Sequence, residues 1–138
     1  MGTVIRPEIS SKNKYWIDKH RYYELKHFCL QYPYWKRTYA AINELGASYP
    51  SLERVNNSNI SDTTAKCAIR KAYYSDRIKM IEKAAMEADE DLYIYILKAV
   101  TENLAYTYLT SQMEIPCSRD TYYDRYRRFF WLLSESRN

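Results

Sequence analysis

Residues 91–138 read DLYIYILKAVTENLAYTYLTSQMEIPCSRDTYYDRYRRFFWLLSESRN, and their periodicity decides the class of fold. Three apolar-periodic pieces are separated by short breaks. Leu92, Tyr95, Ile96, Ala99 and Val100 recur at steps of one, three and four, which places them on one helical stripe. Ala105, Tyr108, Leu109 and Gln112 begin a second, very short helix. Met113-Glu114-Ile115-Pro116-Cys117-Ser118 breaks the period and makes a turn, with Ile115 as the apolar plug. Ser118 stands where an N-cap belongs, since its side-chain oxygen can accept from the free N–H groups of the turn that follows. A third helix then runs from Arg119 to about Ser134.

Ahead of this stretch, Asp89, Glu90 and Asp91 sit together. A metal site could be imagined there, but acidic residues at the start of a helix are favoured by its dipole, and that reading is preferred. Residues 63–88 read as a helix with Ala65, Ile69, Ala72, Ile78 (or Tyr73), Met80, Ala84 and Ala88 near one face, capped by Ser61 or Asp62. The aperiodic stretch GASYPSLERVNNSNIS, residues 46–61, is the expected loop. From Lys14 to Leu45, Tyr22, Leu25, Phe28, Tyr32, Trp35, Tyr39 and Ile42 form a further stripe. That stripe must kink or split at Pro33, which lacks a donor, and Gly46 is the expected stop.

These elements predict an all-α fold. After a loose start over residues 1–13, residues 14–88 form a helical hairpin, and residues 89–138 form a helix-turn-helix unit that continues the same core. With only 2 Gly and 4 Pro, the chain lacks the turn residues that an all-β or α/β protein of 138 residues would need. No apolar run reaches the length of a membrane span, so no membrane partner is expected. Met1–Ser11 has no apolar core of the signal-peptide kind, and the chain is expected to stay in the cytosol. Cys29, Cys67 and Cys117 form no C-x-x-C pair and read as reduced thiols. His20 and His27 lack a nearby third ligand, so no metal is expected, and no cofactor either. There is no Gly-rich phosphate loop, no histidine matched to a nucleophile and no recurring carboxylate spacing, so an enzyme is not expected.

The net charge of +4 is unevenly spread. Residues 89–113 carry 1 basic and 4 acidic groups and cannot meet phosphates, whereas either flank could. A short helix, a tight apolar turn and a longer basic helix make up a helix-turn-helix, whose last helix enters the major groove by its N-terminal half. On that helix Tyr122, Tyr126, Phe129 and Leu133 share one side and are expected in the core. Ser118, Arg119, Asp120, Tyr123 and Asp124 are assigned to base edges or nearby phosphates of double-stranded DNA. Arg127 and Arg128, one turn on, are assigned to phosphates. Arg125 is open to either side.

The stretch Ala65–Leu133, above all IPCSRDTYYDRYRRFFWLLS with EADEDLYIYILKAVTEN before it, resembles the RinA/ArpU-type transcriptional regulators of phages and prophages. The earlier HRYYELKHFCLQYPYWK is similar to the N-terminal part of such proteins. The resemblance implies a C-terminal helix-turn-helix akin to region 4 of sigma-70 factors, a role in activating late phage genes, and a place in the cytoplasm of a bacterial host. Beside it stands the expectation that the hairpin supplies a homodimer contact or meets host RNA polymerase. Glu114 and Cys117 depart from the glycine and acidic residue common in sigma-type turns. Two other readings belong beside this one: a packaging-site binder like a terminase small subunit, and a helical phage protein that inhibits a host protein.

Overall fold

The computed structural model describes residues 12–48 and 57–137, with side chains described for 12–44 and 63–137. The first long stripe is cut in two by a single residue. Asp18 is extended, and its carboxylate accepts from the His20 N–H at 2.9 Å, so helix α1 begins at Lys19 and not at Lys14. Helix α1 spans Lys19–Leu30, and Gln31 closes it by donating to the Phe28 carbonyl at 3.2 Å. Helix α2, Tyr32–Ser48, follows at once. Pro33 is its second residue, where a helical N–H has no partner in any case. The stripe itself holds: Tyr22, Leu25, Phe28, Trp35 and Ile42 are buried, and Tyr32 and Tyr39 are half-buried.

Gly46 does not stop α2, which continues through it to Ser48. A helical glycine costs only about 1 kcal/mol relative to alanine, and the neighbouring turns carry it. Helix α3 spans Asn57–Ala88, so Ser61 and Asp62 lie inside it and do not cap it. Of the expected loop 46–61, residues 49–56 lie outside the described residues. The expected apolar face of α3 is also half wrong. Ile78, Ala84 and Ala88 are buried, joined by Ile81 and Ala85, whereas Ala65, Ile69 and Ala72 are exposed. Alanine and lysine hold this part of the helix by propensity without burial.

The remaining helices are α4, Tyr93–Glu102, α5, Tyr106–Met113, and α6, Arg119–Ser136. Among the described residues there is no strand, and the fold is all-α. The chain divides into two compact units, though not at residue 88. One contains the described parts of residues 1–31 and 80–138, and the other those of residues 32–79. In the smaller unit Tyr34 meets Tyr74 edge-on with ring centroids 6.4 Å apart, and the Lys71 ammonium lies 5.8 Å from the Tyr39 ring. Those two pairings run in opposite chain directions, which makes α2 and the first part of α3 an antiparallel pair.

In the larger unit α1 packs on α4 and α6. The α4 stripe is buried at Leu92, Ile96, Ala99 and Val100. Asp89 precedes α4 and starts it: its Oδ1 accepts from Asp91 N at 2.9 Å and Leu92 N at 3.1 Å. Asn103 ends it in the left-handed region (φ 57, ψ 50), with Leu104 N donating to the Ala99 carbonyl at 3.0 Å. On α6, Tyr122, Phe129, Phe130 and Leu133 have 1% exposure or less. Tyr22 meets Phe130 edge-on at 5.1 Å, and the Tyr22 and Tyr126 hydroxyls share a hydrogen bond of 2.8 Å. At the far end of that pairing Arg21 donates to the Ser134 carbonyl at 2.9 Å and to its hydroxyl at 3.0 Å.

Replacing Phe130 by alanine should lower the unfolding free energy by about 3–5 kcal/mol in urea titration, through lost burial and the cavity left behind. Replacing the exposed Ile69 in the same way should change it by less than about 0.5 kcal/mol. Alkali should act through the buried phenols. Burial pushes the hydroxyls of Tyr122 and Tyr126 well above their ordinary range. The folded chain therefore favours the neutral phenol, and that stability is whole below the ordinary tyrosine value of about 10 and is lost as pH rises beyond it. The melting temperature should fall steadily above about pH 10. The Tyr122 hydroxyl is buried with no hydrogen-bond partner among the described residues. Tyr122→Phe should accordingly raise stability by about 1 kcal/mol at neutral pH and make the alkaline fall shallower.

Candidate nucleic-acid interface

Helix α5 is eight residues long and is tied to the turn that follows it. Tyr106, at its start, donates its hydroxyl to the Cys117 carbonyl at 2.7 Å. Leu109 is fully buried, and its carbonyl accepts from the N–H groups of both Glu114 and Ile115, the latter at 3.1 Å. Between them Glu114 takes the left-handed conformation (φ 52, ψ 48) that reverses the chain. Ile115 is 7% exposed and plugs the bend, as expected for the branched apolar residue of that turn. Ser118 is extended, and its Oγ accepts from Thr121 N at 3.2 Å. Helix α6 therefore starts at Arg119 and carries Asp120 in its first turn, where the helix dipole favours a carboxylate.

Of the residues assigned to DNA, Ser118, Arg119 and Asp120 are exposed at the start of α6. The Arg119 guanidinium lies 5.3 Å from the centre of the Tyr123 ring. Tyr123 itself is only 6% exposed, which corrects its placement on the outer face. Its ring packs at 5.1 Å from Tyr122 and 6.1 Å from both Tyr106 and Tyr126. A second neighbour, α5, covers a side of α6 that a single stripe leaves open. Asp124 is half-exposed and ion-paired with Arg125, which also donates to Asp89 Oδ2 at 2.9 Å. Arg127 is half-exposed and makes no ion pair among the described residues.

Arg128 is engaged within the chain. Its Nη1 donates to the Tyr15 hydroxyl at 3.1 Å and its Nε to the Glu87 carbonyl at 3.3 Å. The Tyr15 hydroxyl is held below its ordinary range by that arginine. Arg125 and Arg128 thus fasten α6 to segments before α4, which leaves exposed Arg119 and half-exposed Arg127 without an ion pair among the described residues. Thr121, also exposed in the first turn, was not among the residues assigned to DNA, nor were Thr107, Thr110 and Ser111 on the outer side of α5, and Gln112, expected on the apolar stripe, is exposed as well. Tyr108, expected inside, is 41% exposed. The signal that locates this face is the step Tyr106–Leu109–Met113, whose members are half-buried, buried and half-buried.

This arrangement can offer hydrogen bonds and ion pairs: a guanidinium fork from Arg119, a carboxylate from Asp120 and short polar groups from α5. Burial and the nearby Asp89 raise the Cys117 thiol above its ordinary range, and burial raises that of Cys29 further, so neither is a ready thiolate. Among the described residues no three His, Cys, Asp or Glu side chains gather as a metal site would need, and no helix is long and apolar enough to cross a membrane.

The turn itself is open to measurement. A residue with a Cβ costs about 1–2 kcal/mol in the left-handed region, partly offset by the larger unfolded-state entropy of glycine. Glu114→Gly should therefore raise the unfolding free energy by about 0.5–1 kcal/mol. Ser118→Ala should lower it by about 1 kcal/mol by removing the cap. Urea titration followed by circular dichroism reads both. No protein-family model, no curated protein and no solved structure matches the chain.

Proposed function

We propose that the chain is a sequence-specific DNA-binding transcriptional regulator in which α5, the turn at 114–118 and α6 act as a helix-turn-helix. The observation that carries this reading is the local geometry. An eight-residue helix, a left-handed reversal plugged by Ile115 and a serine-capped second helix leave the first turn of that second helix exposed. This is the part of a helix-turn-helix that meets base edges. Arg119 is suited to the two acceptors of a guanine, and Asp120 to an amino donor such as that of cytosine. Ser118 and Thr121 face the same region, Asp124 borders it, and Arg127 serves a phosphate. A place among the RinA/ArpU-type regulators of phage and prophage genes, late genes included, rests on the resemblance of residues 65–133, as do a contact with RNA polymerase and a cytoplasmic location in a bacterial host.

A second reading is favoured by one observation. Arg125 and Arg128 are spent on holding α6 in place, which leaves the candidate face with few free cations and exposed Tyr108 beside them. A face of that kind also suits a protein partner, as in a helical inhibitor of a host protein.

Selection from a random duplex library at two salt concentrations separates the two. A regulator should enrich one motif from the library. Arg119→Ala should then relax the preference at one base position by about 1–3 kcal/mol, and Arg127→Ala should weaken all sequences alike. A folded protein that enriches no motif at either salt would refute the sequence-specific regulator, and one that also retains no duplex would leave the protein partner.

A further inference from the structure

The surplus of positive charge does not lie in the unit that carries α5 and α6. Residues 32–79 carry 8 basic and 4 acidic groups, whereas residues 1–31 together with 80–138 carry 13 of each. The whole net charge of +4 therefore belongs to the smaller unit. In the larger unit many cations are neutralised at home: Arg21 by Glu24, Lys83 by Glu87, Lys98 by Glu102 and Arg125 by Asp89.

On the part of α3 that belongs to the smaller unit the pattern is reversed. Lys66 and Arg70 are exposed, and no described carboxylate pairs with either. Arg77 lies over the Tyr73 ring, 3.4 Å from its centre, and its Nη1 donates to the Tyr73 carbonyl at 3.2 Å. Tyr73 is 48% exposed. Positions 66, 70, 73 and 77 are spaced by four, three and four, so they form one stripe, about 16 Å long at 1.5 Å per residue. Like charges one turn apart destabilise a helix slightly, and a polyanion laid along the stripe relieves that repulsion. Stacking on Tyr73 fixes the Arg77 fork in advance and lowers the entropy lost on contact.

Resting on the DNA-binding reading above, we propose that the stripe Lys66–Arg70–Tyr73–Arg77 is a sequence-independent contact to the phosphate backbone of duplex DNA, carried by a different helix from the one that reads bases. The charge complementarity is direct. Duplex DNA presents a phosphate about every 1.7 Å of its axis, so a stripe of this length faces several. Binding through the stripe supplies affinity for any sequence, while Arg119 and its neighbours supply the preference.

The test uses the full chain, a labelled random-sequence 30-base-pair duplex and fluorescence anisotropy over a series of NaCl concentrations. The triple variant Lys66→Gln, Arg70→Gln, Arg77→Gln should bind about ten- to a hundred-fold more weakly, and its salt slope should fall by roughly two to three. Its ratio of specific to random binding should be unchanged. The charge-keeping variant Lys66→Arg, Arg70→Lys, Arg77→Lys should retain the slope. An unchanged slope in the glutamine variant, with helicity and melting intact, overturns the proposal and leaves the base-reading helix standing. Random-duplex binding that disappears in the glutamine variant, from a protein with no sequence preference, supports the stripe while refuting the regulator. Displacement of the duplex by polyglutamate at equal charge concentration overturns the proposal in favour of an acidic protein.

Discussion

Tyr22 of α1 and Tyr126 of α6 share a hydrogen bond inside an aromatic seam, and the position of α6 depends on it. Phe130 meets Tyr22 edge-on beside that bond, and the Arg21–Ser134 bonds continue the pairing toward the end of α6. A buried phenol oxygen left without a partner costs free energy, as at Tyr122, so the bond between these two hydroxyls favours one register of the helices as well as one distance between them. A slip of one residue would leave both oxygens bare in an apolar interior. Because α1 comes from the other end of the chain, this seam also makes the first described segment part of the unit that holds α5 and α6.

The arginines of α6 divide by what the seam leaves them to do. Arg125 and Arg128 point toward acceptors on preceding segments, and Arg137, just past the end of α6, lies 4.0 Å over the Phe28 ring. Arg119 precedes the seam and stays outside it. Basic composition along a helix is therefore a poor guide to what the helix offers a partner. In this chain structural use and exposed use alternate within ten residues of sequence, and acceptors far away in the chain decide which is which.

The sequence showed the helices with fair accuracy wherever a local chemical signal marks an end. Ser118 caps α6 through a bond to its own next turn, Pro33 sits where a helix can begin, and Ile115 is the branched apolar residue buried in the bend. Those are short-range effects and leave a local trace. What was not legible depends on contacts between distant segments. Tyr123 is buried because α5 covers a second side of α6, and Arg128 is occupied because Tyr15 lies 113 residues away in sequence and close in space. Gly46 and the Ser61–Asp62 pair show the converse error, in which a plausible local stop is overridden by the helix around it. The candidate site was accordingly legible as a place, the start of α6, and only in part as a set of residues.

One carboxylate carries two duties in this fold. Asp89 uses Oδ1 to receive the two N–H groups that open α4 and Oδ2 to receive Arg125. Asparagine could perform the first duty but would turn an amino group toward the guanidinium, and glutamate could reach the arginine only by moving its oxygens away from the N–H groups. Neither common neighbour in the genetic code can replace it alone. Loss of the carboxylate at 89 therefore removes the start of α4 and the hold on Arg125 together, whereas a change at 125 leaves both N–H bonds of Asp89 in place. The junction before α4 therefore tolerates change at its arginine more readily than at its aspartate.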